Sequence, residues 1–258
     1  MPRILITRAP HQASALAEAL RERGCEPVLI PTIELAEPAS FCALDAALAC
    51  LRSYDWLLFT SANAVEAFAE RSRGIGIALT LPKVATIGPA TARAVKQVLG
   101  VAVEWMPQQA VAESFAEALV PLAMQADGSP MRFLLVRAET ARDVIPDALM
   151  EAGAEVTIAA AYRTVIPEAS VQAVRELFAG PESYPDAITF TSSSAATNLL
   201  ALAEAAGVVL PQDVARISIG PVTSGTLLEA GLPPHVEAEQ ATVGGLADAV
   251  VRWLTGRS

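Results

Sequence analysis

Histidine occurs only at His11 and His235, and cysteine only at Cys25, Cys42 and Cys50. A histidine-based zinc site or a Ser-His-Asp triad would therefore have to be built on one of two imidazoles. The cysteines form no CxxC pair and their number is odd, so free thiols are expected rather than a disulfide framework or a metal site. No apolar run reaches the ~20 residues of a membrane span, because charge or proline interrupts each one. The opening MPRILITRAP lacks the basic-then-apolar pattern of a signal peptide. Together these absences predict a soluble, cytoplasmic protein that does not associate with membranes. Neither GxGxxG nor GxxxxGK[ST] occurs, so a nucleotide-dependent transferase would lack its phosphate loop. Basic residues are also in deficit, 18 against 28 acidic ones for a net charge of −10, which argues against nucleic acid as a partner. That deficit does not exclude an anionic small molecule, since a few arginines and oriented N–H groups make a site locally positive.

What the chain does have is enough apolar residues, 53% of 258, for two compact domains, and an internal repeat at an offset of about 130 residues. Ile4-Leu5-Ile6-Thr7-Arg8-Ala9 resembles Phe133-Leu134-Leu135-Val136-Arg137-Ala138, and in each copy an amphipathic helix follows and ends at a glycine, Gly24 or Gly153. DWLLFTSANA from Asp55 aligns with DAITFTSSSA from Asp186, IGPAT from Ile87 with IGPVT from Ile219, and QQAVAESFAEALV from Gln108 with EQATVGGLADAVV from Glu239. Short apolar runs (ILIT, VLIP, WLLFT, VATIG, VEWMP) alternate with Ala- and Glu-rich stretches of helical spacing. That alternation predicts α/β domains with doubly wound parallel sheets, whose ligands bind beyond the carboxyl ends of the strands. A tandem arrangement would divide the chain near Asp127-Gly128-Ser129-Pro130. In the alternative, the first strand-helix-strand unit packs with the end of the chain, and two extended crossings, LIPTIELAEP from Leu29 and IAAAYRTVIP from Ile158, join a split domain to a continuous one.

The repeated loops supply the candidate site. Thr60, Ser61 and Asn63 follow one strand and open a helix, as do Thr191, Ser192, Ser193 and Ser194 in the other copy. Such residues cap helices, and the same helix starts can bind carboxylates through N–H groups and the helix dipole. Gly88 and Gly220 would let backbone approach a ligand, with Thr91 and Thr223 placing hydroxyls near the following helix starts. Thr242 and Gly244 open a third, glycine-richer helix, where a closer ligand approach is expected. Arg8 and Arg137 end equivalent strands and suit either paired hydrogen bonds to a carboxylate or a structural ion pair. Tyr162, in the second crossing, has a ring that can pack and a hydroxyl that can move a proton.

Arg8, FTSANAV from Phe59, IGPAT, Arg137, Ala161-Tyr162-Arg163-Thr164, FTSSSA from Phe190 and IGPVT form a series that resembles the uroporphyrinogen-III synthase family over nearly the whole chain. The resemblance implies two flavodoxin-like domains joined by a two-stranded ladder: residues 1–36 with 166–258, and residues 37–165. It implies a lyase that cyclises hydroxymethylbilane, a pyrrole chain fringed with acetates and propionates, in a cleft between the domains. Water is lost, ring D is inverted through a spiro intermediate, and uroporphyrinogen III results. By the same resemblance there is no metal or organic cofactor, Tyr162 assists water departure, and Thr223 and Ser192 orient the substrate. A monomer that receives its substrate from hydroxymethylbilane synthase is expected. The family often has Thr-Ser-x-Gly where this chain reads Ala112-Glu113-Ser114. The competing reading is a non-catalytic two-domain binder of an anionic small molecule.

Overall fold

The computed structural model describes residues 1–8 and 10–256, without the side chains of residues 10–12. Ala9 of the first repeat motif and the imidazole of His11 therefore lie outside the described residues. From the start, the chain forms β1 (Arg3–Ile6), α1 (Pro10–Glu22), β2 (Glu26–Leu29) and β3 (Glu34–Ala36). There follow α2 (Cys42–Ala49), β4 (Trp56–Phe59), α3 (Ala62–Gly74), β5 (Lys83–Thr86), α4 (Pro89–Ala94), α5 (Ala112–Leu119), β6 (Arg132–Ala138), α6 (Val144–Glu151) and β7 (Glu155–Val165). The last stretch holds α7 (Glu168–Leu177), β8 (Ala187–Phe190), α8 (Ser193–Ala206), β9 (Ala215–Ser218), α9 (Pro221–Glu229), β10 (Val236–Glu237) and α10 (Val243–Thr255).

These elements make two compact units, one from Met1–Glu34 with the chain from Val165 on, the other from Leu35–Thr164. Asp127–Pro130 is a local turn inside the second unit, closed by the Ser129 N–H and hydroxyl on the Asp127 carboxylate. The first unit's sheet runs β2-β1-β8-β9-β10, with its neighbours parallel. Counted along that unit's own chain, the order is 2-1-3-4-5, the flavodoxin-like arrangement. The second sheet runs β3-β7-β6-β4-β5, and Trp105 adds a parallel bridge to Ala85 of β5. Starting the count at β6, the repeat partner of β1, the same order returns: β7, β6, β4, β5, Trp105. The second unit is thus a circular permutation of the first, with β3 added beside β7. VEWMP, expected as a strand, gives only this bridge: it lies at the sheet edge, and Pro107 behind it has no N–H to extend a ladder.

Side chains alternate across each sheet, so both faces of every central strand need cover. In the first unit Leu5, Ile188 and Phe190 pack under Leu199, Leu202 and Leu227, while Ile4, Ile6 and Ile217 face Leu16, Leu20, Leu246 and Val250. In the second, Leu57, Phe59, Leu134 and Val136 meet Val65 and Phe68, and Leu58, Phe133 and Leu135 meet Phe115, Leu119 and Leu149. Each such side chain contributes about 1.5–3 kcal/mol on burial.

The aspartate shared by the two copies has a structural use. Asp186 accepts the Arg3 N–H at 2.7 Å and Asp55 accepts the Arg132 N–H at 2.8 Å, so each carboxylate pairs the first amide of a neighbouring strand. Gly24 and Gly153, at φ +77° and +94°, take the left-handed turn that ends α1 and α6. Among the described residues no helix is long and apolar enough to cross a membrane.

Candidate functional site at the carboxyl ends of the strands

Parallel pairing brings the repeated polar loops to one end of each sheet. Beyond β4, Ser61 is the cap of α3 and its Oγ accepts the Ala64 N–H at 3.1 Å. Beyond β8, Ser192 caps α8 by accepting the Ala195 N–H at 3.1 Å, and Thr242 caps α10 by accepting the Gly245 N–H at 3.0 Å. The three caps share an extended backbone, and each hydroxyl satisfies one of several unpaired amides at its helix start, worth about 1 kcal/mol. Capping therefore accounts for one lone pair of each oxygen and leaves the dipole end of each helix facing the loop region.

The neighbouring candidates are tied into the same loops. Thr60, Asn63 and Thr191 are partly buried, and the Thr191 Oγ1 is enclosed without a hydrogen-bond partner. Ser193 Oγ accepts from Thr226 Oγ1 at 2.8 Å, fastening the start of α8 to α9, while Ser194 is exposed with its Oγ 3.0 Å from that of Ser192. Thr91 and Thr223 stand in the first turns of α4 and α9 and are buried. Arg8, at the end of β1, is partly buried.

Two expectations change in detail. Gly88 and Gly220 are buried, and a Cβ on Gly88 would lie 2.8 Å from the Cβ of Ala110, so the group that closely approaches Gly88 is the protein's own Ala110 methyl. A Cβ on Gly220 would meet Ala241 at an ordinary 3.7 Å. Gly88→Ala should therefore cost about 1–3 kcal/mol in urea denaturation, and Gly220→Ala far less; equal losses would refute this assignment of the clash. Of the glycine pair opening α10, Gly245 is the packed one, with the Gln240 carbonyl in the space a Cβ would fill, whereas Gly244 faces open space.

Arg137, open between two roles, is in a structural ion pair. Its guanidinium is buried, with Nη2 2.5 Å from Asp143 Oδ1 and Nη1 donating to the Arg142 carbonyl at 2.9 Å. A charge this enclosed requires a partner, and the loop supplies it six residues on. His235 has its Nδ1 accepting the Arg216 amide and its ring edge-on to Trp253, at the amino end of β9 rather than the loop end.

Tyr162 lies near the end of β7, just past an irregularity: Arg137 pairs with Ala160, but Ala138 pairs with Tyr162. The extra residue re-aims the strand. The Tyr162 ring packs on the core around Phe59, and its Oη reaches 3.1 Å from Ser61 Oγ. Beside it runs a groove of about 420 Å³ within the second unit, lined by Asn63, Phe41, Glu66, Glu70 and Arg71 among others. Arg71 closes one wall: it makes two hydrogen bonds to Asp45, at 2.7 and 2.6 Å, and lies over the Phe41 ring. Its guanidinium holds the Asp45 carboxyl below the usual carboxylate range. The pair's small contribution is present at neutral pH and lost as acid protonates Asp45. Motif spacing could not reveal this groove, because its walls come from β3, Phe41 ahead of α2, α3 and β7. At α5, Glu113 pairs with Arg142 at 2.7 Å, and no side chain caps the helix, in keeping with the departure at Ala112-Glu113-Ser114.

Residues 14–248 match the family described as uroporphyrinogen-III synthase HemD. A uroporphyrinogen-III synthase of Synechococcus elongatus is 35% identical over 262 aligned positions, 97% of this chain and 94% of the relative. A putative uroporphyrinogen-III synthase of Methanothermobacter thermautotrophicus is 31% identical, covering 92% of this chain and 93% of its own. Among solved structures, a mutant uroporphyrinogen III synthase from Thermus thermophilus matches with a TM-score of 0.63 at 21% identity, over 99% of this chain and 100% of the other. The uroporphyrinogen-III synthetase of Helicobacter pylori matches at 0.57 and 17%, over 98% and 100%. At these identities the structural likenesses establish the fold.

Proposed function

The chain belongs to the uroporphyrinogen-III synthase family, and we propose on that premise that it closes hydroxymethylbilane to uroporphyrinogen III, with loss of water and inversion of ring D. The observation that carries this reading is the match to a synthase at 35% identity over 97% of the chain. The enzyme is a lyase acting on a small anionic tetrapyrrole precursor.

The chemistry asks for positioning more than for reactive groups. The pyrrole that bears the hydroxymethyl group can itself expel the oxygen, since its nitrogen lone pair stabilises the cation formed. Left alone, the flexible bilane closes end to end to the type I isomer. The protein's task is to hold the folded conformation in which ring D attacks through its substituted carbon, a proximity effect. The capped starts of α3, α8 and α10, with Arg8, Thr60, Asn63, Thr191, Ser193, Ser194 and the open Gly244 backbone, bind the acetates and propionates. Hydrogen bonds to charged groups contribute about 1.5–3 kcal/mol each, so several together can impose one conformation. Ser192 and Thr223 orient the chain, and Gly88, Gly220 and Thr91 hold the loops that present these groups. Arg137 acts through its bond to Asp143. Tyr162 donates its phenolic proton to the departing oxygen. The enzyme works as a cytoplasmic monomer and takes its labile substrate from hydroxymethylbilane synthase.

Purified protein incubated with enzymatically generated hydroxymethylbilane, followed by oxidation and separation of the uroporphyrin isomers, is expected to yield type III. Product consisting of type I alone overturns the proposal.

A further inference from the structure

The two copies treat their helix caps differently. Ser192, on α8, has the hydroxyl of Ser194 as its second partner, at 3.0 Å. Ser61, on α3, has the phenol of Tyr162 at 3.1 Å. The other two tyrosines are engaged elsewhere: Tyr54 donates to Thr157 Oγ1, and Tyr184 packs on Phe178.

A serine hydroxyl has one proton to give. The Ser61 oxygen already accepts the Ala64 N–H at 3.1 Å, and Tyr162 is its other hydrogen-bond partner among the described residues. If Tyr162 donated to Ser61, the phenol would have no proton left for a ligand. If Ser61 donates, the phenolic proton is free to point toward the groove. We propose that Ser61 is a positioning residue that donates to Tyr162, so that the Ala64 amide, the Ser61 hydroxyl and the Tyr162 hydroxyl form a one-way series ending on the leaving oxygen of the substrate; this rests on the function proposed above. Donation from the amide polarises the serine O–H, and successive donors strengthen one another. The positive end of α3 adds to this by favouring electron density on the phenol oxygen. When the C–O bond breaks, Tyr162 supplies the proton that completes water, and the electron pair left on its oxygen is held by the Ser61 O–H. The proton that ring D, the attacking pyrrole, loses as it regains aromaticity at ring closure restores the phenol.

Three substitutions separate this role from capping alone. Ser61→Ala removes both cap and donor. Ser61→Asp keeps a good cap but, as a carboxylate, can only accept, so it turns the Tyr162 proton away from the substrate. Ser61→Thr keeps both. The expected result is a fall in kcat of about tenfold or more for Ala and Asp with little change in KM, retained thermal stability for Asp, and recovery with Thr. In a Tyr162→Phe background, Ser61→Ala should lower kcat no further. Wild-type kcat in Ser61→Asp, or an equal fall from Ser61→Ala with and without the phenol, overturns the inference while leaving type III synthesis by the unaltered protein intact. Failure of the unaltered protein to make type III product removes both.

Discussion

Tyr162→Phe is expected to lower kcat by about 10²–10⁴-fold, the usual contribution of a positioned acid, while the protein stays folded. The ring remains packed against the Phe59 core, and only the oxygen 3.1 Å from Ser61 Oγ is lost. Loss of one partly buried hydrogen bond costs about 0.5–1.5 kcal/mol, a small part of a domain's stability. The product should change as well. Hydroxymethylbilane closes to the type I isomer without help, so a slowed enzyme yields a larger type I fraction at long incubation. Timed quenching and isomer separation, alongside a thermal melt, measure both effects. Turnover within twofold of wild type would remove Tyr162 from the mechanism.

Phe59→Ala is expected to give the largest loss of stability, about 3–5 kcal/mol. Phe59 ends β4, is fully buried, and sets its ring edge-on to Phe68 with centroids 5.4 Å apart. Phe68 lies on α3, so this contact ties the strand to the helix whose cap is Ser61, and the loop between them moves when it is lost. Urea denaturation followed by far-ultraviolet circular dichroism gives the change in midpoint. A loss under about 1 kcal/mol would mean that the neighbouring side chains refill the space. The surviving folded fraction should also turn over more slowly, because the geometry of Ser61 and Tyr162 depends on this anchor.

Phe59 and Phe190 occupy the same place in the repeated Phe-Thr-Ser motif, and each ends a strand buried on both faces. Such motifs were readable because a parallel strand followed by a capped helix uses few residue types at fixed spacing: apolar residues, then a hydroxyl that can accept an amide. Thr60 to Asn63, Thr191 to Ser194 and Thr242 to Gly245 all carry that pattern, and all three loops open helices. VEWMP was less legible. Apolar alternation says nothing about whether a segment has a neighbour along its whole length, and at the edge beyond β5 only Trp105 does.

The parallel α/β character, the doubled loops and the family were all legible before any coordinates, since they rest on local patterns that recur along the chain. Tertiary structure alone decided what the individual polar groups do. Arg137 suits either a ligand contact or an ion pair in sequence, and it is held by Asp143 because burial demands a partner close by. Gly88 and Gly220 share a motif, but only Gly88 has another residue in the space its side chain would fill. Tyr162 meets Ser61 across 101 positions of chain, a distance over which sequence pattern carries no signal; sheet pairing and one irregularity in β7 bring the two oxygens together.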